Sequence, residues 1–277
     1  TFFQAFLRAK YAETIRAGKA GSVNEDFEKI GRRLHNWVRE NLGKMGLSGG
    51  SESDFHALIS EDIRYFQKAY CRILEAQATF NQQLDNVHYI HQWGIASSLS
   101  YPLMLSPLLK TDSIEQANQK INLVARYIDN FCVRRSVNFR NFSASSIRYT
   151  MYNLVKEIRS KTLDELHAIL ADKIATMDVQ LDGISEFRLH GQNGLFVKYF
   201  LSRLTGYVDG LAGKTSSFVT YFHSPDAKPY EIEHLWANIY ERHKAEFEQQ
   251  VDFEQFRNRI GALVLLPKGT NQSYNAK

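Results

Sequence analysis

The chain has 277 residues, 44% of them hydrophobic and 23% charged, enough to fill one large core or two smaller ones, which excludes disordered and fibrous classes. Only Cys71 and Cys132 are present, far apart and without a histidine at ligand spacing, so neither a disulfide framework nor a zinc ribbon is expected and a reducing, cytoplasmic setting fits. The formal charge of +4 is too small to name a partner, and no apolar run approaches the roughly 20 residues that span a bilayer, so no membrane partner is expected.

The first residues, Thr1-Phe2-Phe3-Gln4, carry neither a basic leader nor an initiator methionine, and the chain is expected to be a piece of a longer protein. Phe3, Phe6, Leu7 and Tyr11, then Phe27, Ile30, Leu34 and Val38, recur at three- and four-residue spacing and predict two amphipathic helices. Gly46-Leu47-Ser48-Gly49-Gly50-Ser51 predicts a surface loop, after which Ser53 or Asp54 is expected to cap a helix through Ile63, Phe66, Tyr70 and Leu74. His88 and His91 beside Trp93 lack a third ligand, so no metal site is expected there.

Tyr101-Pro102-Leu103-Met104-Leu105 reads as a buried helix with Pro102 in its first turn. Ser113 is expected to cap the next helix, whose Ile114, Ala117, Ile121, Val124, Ala125 and Ile128 form one stripe. Further helical patterns run through Met151 to Ile158, Leu163 to Ile174 and Phe196 to Leu204, with Gly191-Gln192-Asn193-Gly194 as a turn before the last. No strand alternation or fixed repeat emerges before residue 220, so residues 1–221 are expected to form a helical scaffold. Ser216 to Tyr221 are richer in β-formers, Ser224-Pro225-Asp226 marks a turn, and a second domain is expected over 222–277.

Charge is uneven. From Arg126 to Lys161 eight Lys or Arg face only Asp129 and Glu157, interleaved with aromatics. Arg134, Arg135, Arg140, Arg148, Lys156 and Arg159 are the candidates to hold DNA phosphates, with Phe139, Phe142 or Tyr149 against sugars or bases; the alternative is a solvated helix face whose aromatics are core. From Tyr221 onward seven basic and eight acidic residues leave that region unable to hold a polyanion unaided.

The C-terminal region carries the chemistry. Tyr230-Glu231-Ile232-Glu233-His234, then Ile260-Gly261-Ala262-Leu263-Val264-Leu265-Leu266, then Asn271 after a Pro-Lys-Gly-Thr turn, read as strand, strand and helix start. That is the pattern of a small ββα-metal (HNH, His-Me finger) nuclease unit, expected here to be incomplete after the opening of its helix. Hydrolysis of a phosphodiester needs a base for water and a cation for the phosphate oxygens. His234, with an ordinary imidazole pKa near 6.5, is the candidate base. Glu233 and Asn271 are the candidate metal ligands, and one carboxylate with one amide oxygen leaves room for the water and phosphate that Mg²⁺ or Mn²⁺ retains.

These residues resemble the GmrSD-type modification-dependent restriction endonucleases, including relatives that sense phosphorothioate DNA. Their C-terminal domain commonly reads Ile-Glu-His-Ile-x-Pro, Ile-Gly-Asn-Leu-x-Leu-Leu, then Asn. The match is close over residues 230–274 and looser in the helical region, at Tyr101 to Leu105 and Val133 to Val137. By resemblance Glu233 and Asn271 hold the metal and His234 is the base. Ala237 stands in place of the usual Pro, and Ala262 in place of an Asn that orients the His; Asn238 or Asn258 is left to take that role. The resemblance implies bacterial defence against phage or modified DNA and a nucleotide-hydrolysing sensor domain ahead of Thr1; a homodimer is expected if both DNA strands are cut, since a symmetric dimer would explain double-strand cutting. The expectation is thus a mainly α protein ending in a metal-dependent DNA endonuclease unit; the alternative is a degenerate DNA-binding, dimerisation or regulatory module.

Overall fold

A computed structural model describes residues 1–15, 25–223 and 228–270. The described chain is mainly helical and divides into two compact units, one of residues 1–136 and 140–179, the other of residues 137–139 and 180–277.

The first unit contains α1 (Phe2–Lys10), α2 (Asp26–Arg32), α3 (Leu34–Glu40), α4 (Glu52–Ala57), α5 (Arg64–Ala78), α6 (Asp85–Gln92), α7 (Ser97–Leu105), α8 (Ile114–Val137, whose last residue belongs to the other unit), α9 (Ala144–Glu157) and α10 (Leu163–Ala175). A π-helical stretch, Leu58–Ile63, joins α4 to α5. On α8 the predicted stripe is the core: Ala117, Ile121, Val124, Ala125, Ile128 and Cys132 have no exposed surface, as i, i+3, i+4 spacing on one helix face requires. Phe6, Phe27 and Trp37 are fully buried in the same core, with Phe27 stacked on Tyr152 at a centroid distance of 4.3 Å.

Several local expectations are corrected. The pattern from Phe27 to Val38 is two helices, because Arg33 leaves helical geometry (φ −139°, ψ 53°) and its N–H closes α2 on the Lys29 carbonyl. The cap of α4 is Ser51, whose Oγ accepts from the Asp54 N–H at 3.2 Å, in place of Ser53 or Asp54. Pro102 lies inside α7, five residues after Ser97. A proline there cannot donate to the carbonyl four residues back; that carbonyl, of Ser98, accepts from Arg8 Nη1 at 3.4 Å, while Arg8 Nε donates to Phe27 O at 3.0 Å. A nearly buried arginine thus repairs the gap left by the proline. Ser113 does cap α8, reciprocally with Gln116.

The second unit holds α11 (Gly194–Leu211), α12 (Phe218–Phe222), β1 (Tyr230–His234), α13 (Gln250–Arg257) and β2 (Leu263–Pro267). The β-formers from Ser216 to Tyr221 are drawn into α12 by a Ser217–Thr220 capping box. β1 and β2 are antiparallel, with Tyr230 opposite Pro267 and His234 opposite Leu263. Ile260 to Ala262, expected in the strand, form a 3-10 turn before it. The compact unit bearing the strands takes in residues 180–221 as well, upstream of the composition change at 222, because α11 packs with α12 and with both strands.

Candidate active site

The strand pair places His234 at its open end. After it, Leu235 N–H donates to Ala262 O at 2.9 Å, the last rung before the chain departs through residues 235–249 into α13. An aromatic cluster holds this excursion. Phe253 is fully buried, the His243 ring stacks on it at 5.0 Å, and Trp236 lies 4.7 Å from His243 and 5.1 Å from Phe256. The exit of α13 is fastened separately, with Leu189 N–H on Asn258 O at 2.8 Å and Ile260 N–H on Phe187 O at 3.0 Å.

Asn258 follows α13 directly and meets the candidate base: His234 Nε2 lies 2.8 Å from Asn258 Oδ1. The amide orientation follows from its other end, where Nδ2 donates to the Glu254 carbonyl at 2.8 Å. With the donor side of Asn258 so engaged, Oδ1 faces the ring and Nε2 must carry hydrogen. Neutral His234 therefore keeps its lone pair on Nδ1, the arrangement a general base needs. Burial pushes the His234 pKa below its ordinary value; the Asn258 bond opposes this, the Arg257 charge adds to it, and the Glu233 charge opposes it. The imidazole is thus biased towards the neutral, proton-accepting form.

Arg257 sits one residue before Asn258 and donates through Nε to Trp236 O at 2.8 Å. The last residue of α13 and the one that follows it thereby hold Trp236, just after β1, and His234, the last residue of β1. Burial lowers the Arg257 pKa, with the carboxylates of Glu233 and Glu254 opposing. Nothing in the sequence marked Arg257 except its place beside Asn258 in the approach to β2.

Between the two asparagines left open as orienting groups, Asn258 makes the contact. Asn238 is exposed in the excursion, with no hydrogen bond to a described residue. Ala262 is buried, its carbonyl used by Leu235 and its methyl unable to reach a ring nitrogen. Glu233 pairs with Val264 across the strands beside His234, and Asn271 lies outside the described residues. Among the described residues no three of His, Cys, Asp and Glu gather as a metal cluster. Glu233 precedes His234 in β1, where successive side chains point to opposite faces of the strand, and one carboxylate suits an ion that retains most of its water.

The six cations expected on DNA fall in the first unit, and each makes an internal contact. Arg159 donates to Ala9 O at 2.7 Å, Ala12 O at 2.6 Å and Arg8 O at 3.3 Å, and also pairs with Glu13. These include last-turn carbonyls of α1, which have no partner within the helix. Arg134 does the same for α10, donating to Ile174 O at 2.7 Å. Lys156 Nζ donates to Glu13 O at 3.0 Å, Arg148 pairs with Glu28, Arg140 pairs with Asp178 at 2.9 Å, and Arg135 donates to Asn141 O at 2.9 Å. Among the aromatics suggested for bases, Phe139 and Tyr149 are exposed, whereas Phe142 lies edge-on to Trp93 at 6.2 Å.

Sequence reasoning also missed Asp209, whose carboxylate accepts from Ser216, Tyr221 and Lys214 and is held down to about pKa 2 by those bonds. It ties α11 to the segment opening α12. No family model, curated protein or solved structure matches the chain.

Proposed function

We propose that the second unit carries a phosphodiester-hydrolysing site of the HNH type acting on DNA. The observation that supports it most is the His234–Asn258 contact with its amide fixed by Glu254, which presets the imidazole tautomer for proton abstraction. In the proposed reaction a water oxygen attacks phosphorus while its proton passes to His234 Nδ1. The P–O3′ bond breaks, the departing 3′ oxygen takes a proton from solvent, and His234 later returns its own proton to solvent, leaving a 5′-phosphate and a 3′-hydroxyl. Glu233 and Asn271 would hold Mg²⁺ or Mn²⁺, which supplies charge stabilisation for the phosphoryl oxygens.

The wider role we propose, from the motif resemblance, is in a bacterial restriction or anti-phage system acting on modified DNA, with a nucleotide-hydrolysing sensor domain in the longer protein. DNA positioning by Arg134, Arg135, Arg140, Arg148, Lys156 and Arg159 would require those side chains to exchange an internal partner for phosphate. Arg140, exposed and paired only with an exposed aspartate, has the least to lose.

Ala262 favours a second reading, a module that binds DNA without cutting it. Plasmid nicking separates the two. Wild type in Mg²⁺ or Mn²⁺ should relax supercoiled DNA, EDTA should stop it, and His234→Ala should slow it by about 10² to 10⁴-fold. Salt-sensitive binding with intact plasmid would sink the nuclease reading and favour the binding module.

A further inference from the structure

Arg257 is built into the same end of the strand pair as His234, yet its outer nitrogens do nothing for the fold. Its Nε is committed to Trp236 O at 2.8 Å, which fixes the plane of the guanidinium, whereas Nη1 and Nη2 have no hydrogen-bond or ion-pair partner among the described residues. Other arginines of the unit are differently employed. Arg188 donates to Gln255 at 2.6 Å, Arg203 to Tyr199 at 2.8 Å, and Arg259 reaches both oxygens of Glu186 at 2.8 and 3.1 Å. Arg242 is exposed on the excursion, outside the rungs that join it to the site.

Position adds to this. Arg257 is next in sequence to Asn258, its Nε reaches the residue two beyond His234, and its charge is felt at the His234 ring, so the two side chains serve one end of the strand pair. It is also partly withdrawn from water, where a charge-assisted hydrogen bond is worth more than at the surface. A guanidinium with a fixed plane and two unengaged N–H-bearing nitrogens matches two oxygens of a phosphodiester, a geometry that lysine cannot reproduce.

We infer that Arg257 binds the non-bridging oxygens of the scissile phosphate through Nη1 and Nη2, and so is a catalytic residue of the hydrolysis rather than a structural tie alone. The inference rests on the nuclease reading of His234 and assigns the substrate's reacting anion to a named group. Charge that builds on those oxygens during attack strengthens the contact in the transition state, so its loss falls on kcat more than on KM.

The test uses this chain, supercoiled plasmid and a short labelled duplex, comparing wild type with Arg257→Gln and Arg257→Lys, each checked by thermal melting. Nicking by Arg257→Gln should fall about 10² to 10³-fold, and the slope of log binding constant against log salt should shrink by about one. Arg257→Lys should keep that slope and still nick at least about ten-fold more slowly, since it keeps the charge but loses the fork. If wild type nicks and both variants nick within about two-fold of it, the inference fails and the nuclease reading stands. If wild type binds without nicking, an unchanged slope in Arg257→Gln overturns the inference, while a slope smaller by one upholds the phosphate contact and sinks only the cleavage. If wild type neither nicks nor binds, both fall. Should Arg257→Gln melt below the assay temperature, Arg257→Lys decides alone: wild-type nicking overturns the inference, and slowed nicking with an intact salt slope upholds it.

Discussion

In the helical unit the guanidinium of Arg159 serves three backbone carbonyls and a glutamate, and that of Arg134 closes the last turn of α10. In the strand-bearing unit the guanidinium of Arg257 serves one carbonyl and keeps its fork open. The sequence suggests the reverse, since the first unit holds the most basic stretch and the region after Tyr221 is slightly acidic. Helix ends are strong local sinks for positive charge, and a unit made of many short helices has many such ends. A basic window in a helical domain therefore measures helix termini before it measures affinity for polyanions. A cation that keeps an open fork and acts on a polarised histidine, in surroundings without net positive charge, says more about chemistry.

The sharpest way to break this comparison is to show that the strand-bearing unit lacks a core of its own. Phe253→Ala removes a fully buried ring at the centre of the aromatic cluster and should cost about 3–5 kcal/mol. It should also loosen Asn258 from His234, because Phe253 anchors α13 and Asn258 caps the end of that helix. Urea unfolding followed by tryptophan fluorescence at Trp236 measures it, and a cost below about 1 kcal/mol would mean the cluster does not hold the excursion. Next comes Arg159→Ala, expected to destabilise the helical unit by about 2–3 kcal/mol through orphaned carbonyls, with little change in the salt dependence of DNA binding. A DNA-affinity loss without loss of stability would restore Arg159 to the phosphate-binding set.

The helical stripes were readable because burial on a helix imposes a 3.6-residue period that survives in the residue types: Ala117, Ile121, Val124, Ala125 and Ile128 are core as that period requires. Pro102 was misplaced because the group that compensates it, Arg8, is remote in sequence, and no local pattern records a side chain arriving from another helix. The same limit governs the site. His234 and Glu233 stand out by adjacency within a strand pattern. The choice of Asn258 over Asn238 depends on where α13 ends and on which face of the amide Glu254 engages, both set by the tertiary path of the excursion. Arg257 was invisible for the same reason.

Smaller effects sharpen the contrast within the site. Asn258→Ala removes the contact that fixes the His234 tautomer and should slow nicking about 10 to 100-fold, the usual penalty for losing a group that orients a functional histidine, while Asn238→Ala should leave the rate within about two-fold of wild type. Equal losses in both variants would show that the excursion, rather than the hydrogen bond, matters.

The finest effect is on pH. His234 must be neutral to accept a proton, and burial places its pKa in the fold below the ordinary 6.5. The acid limb of the pH–rate profile should therefore have its midpoint below 6.5. Asn258 accepts from Nε2–H and so favours the protonated ring; without it the limb should move further down even as the maximal rate falls. Linkage gives the matching stability effect. Between the folded pKa and 6.5 the unfolded chain binds more protons than the native one, so the contribution of a neutral, buried His234 is complete above 6.5 and is lost as pH falls through that window. Titration of the His234 ring protons by NMR in wild type and Asn258→Ala measures both shifts directly. A midpoint above 6.5 in wild type would mean that the Glu233 charge outweighs burial, and would recast His234 as a proton donor at neutral pH.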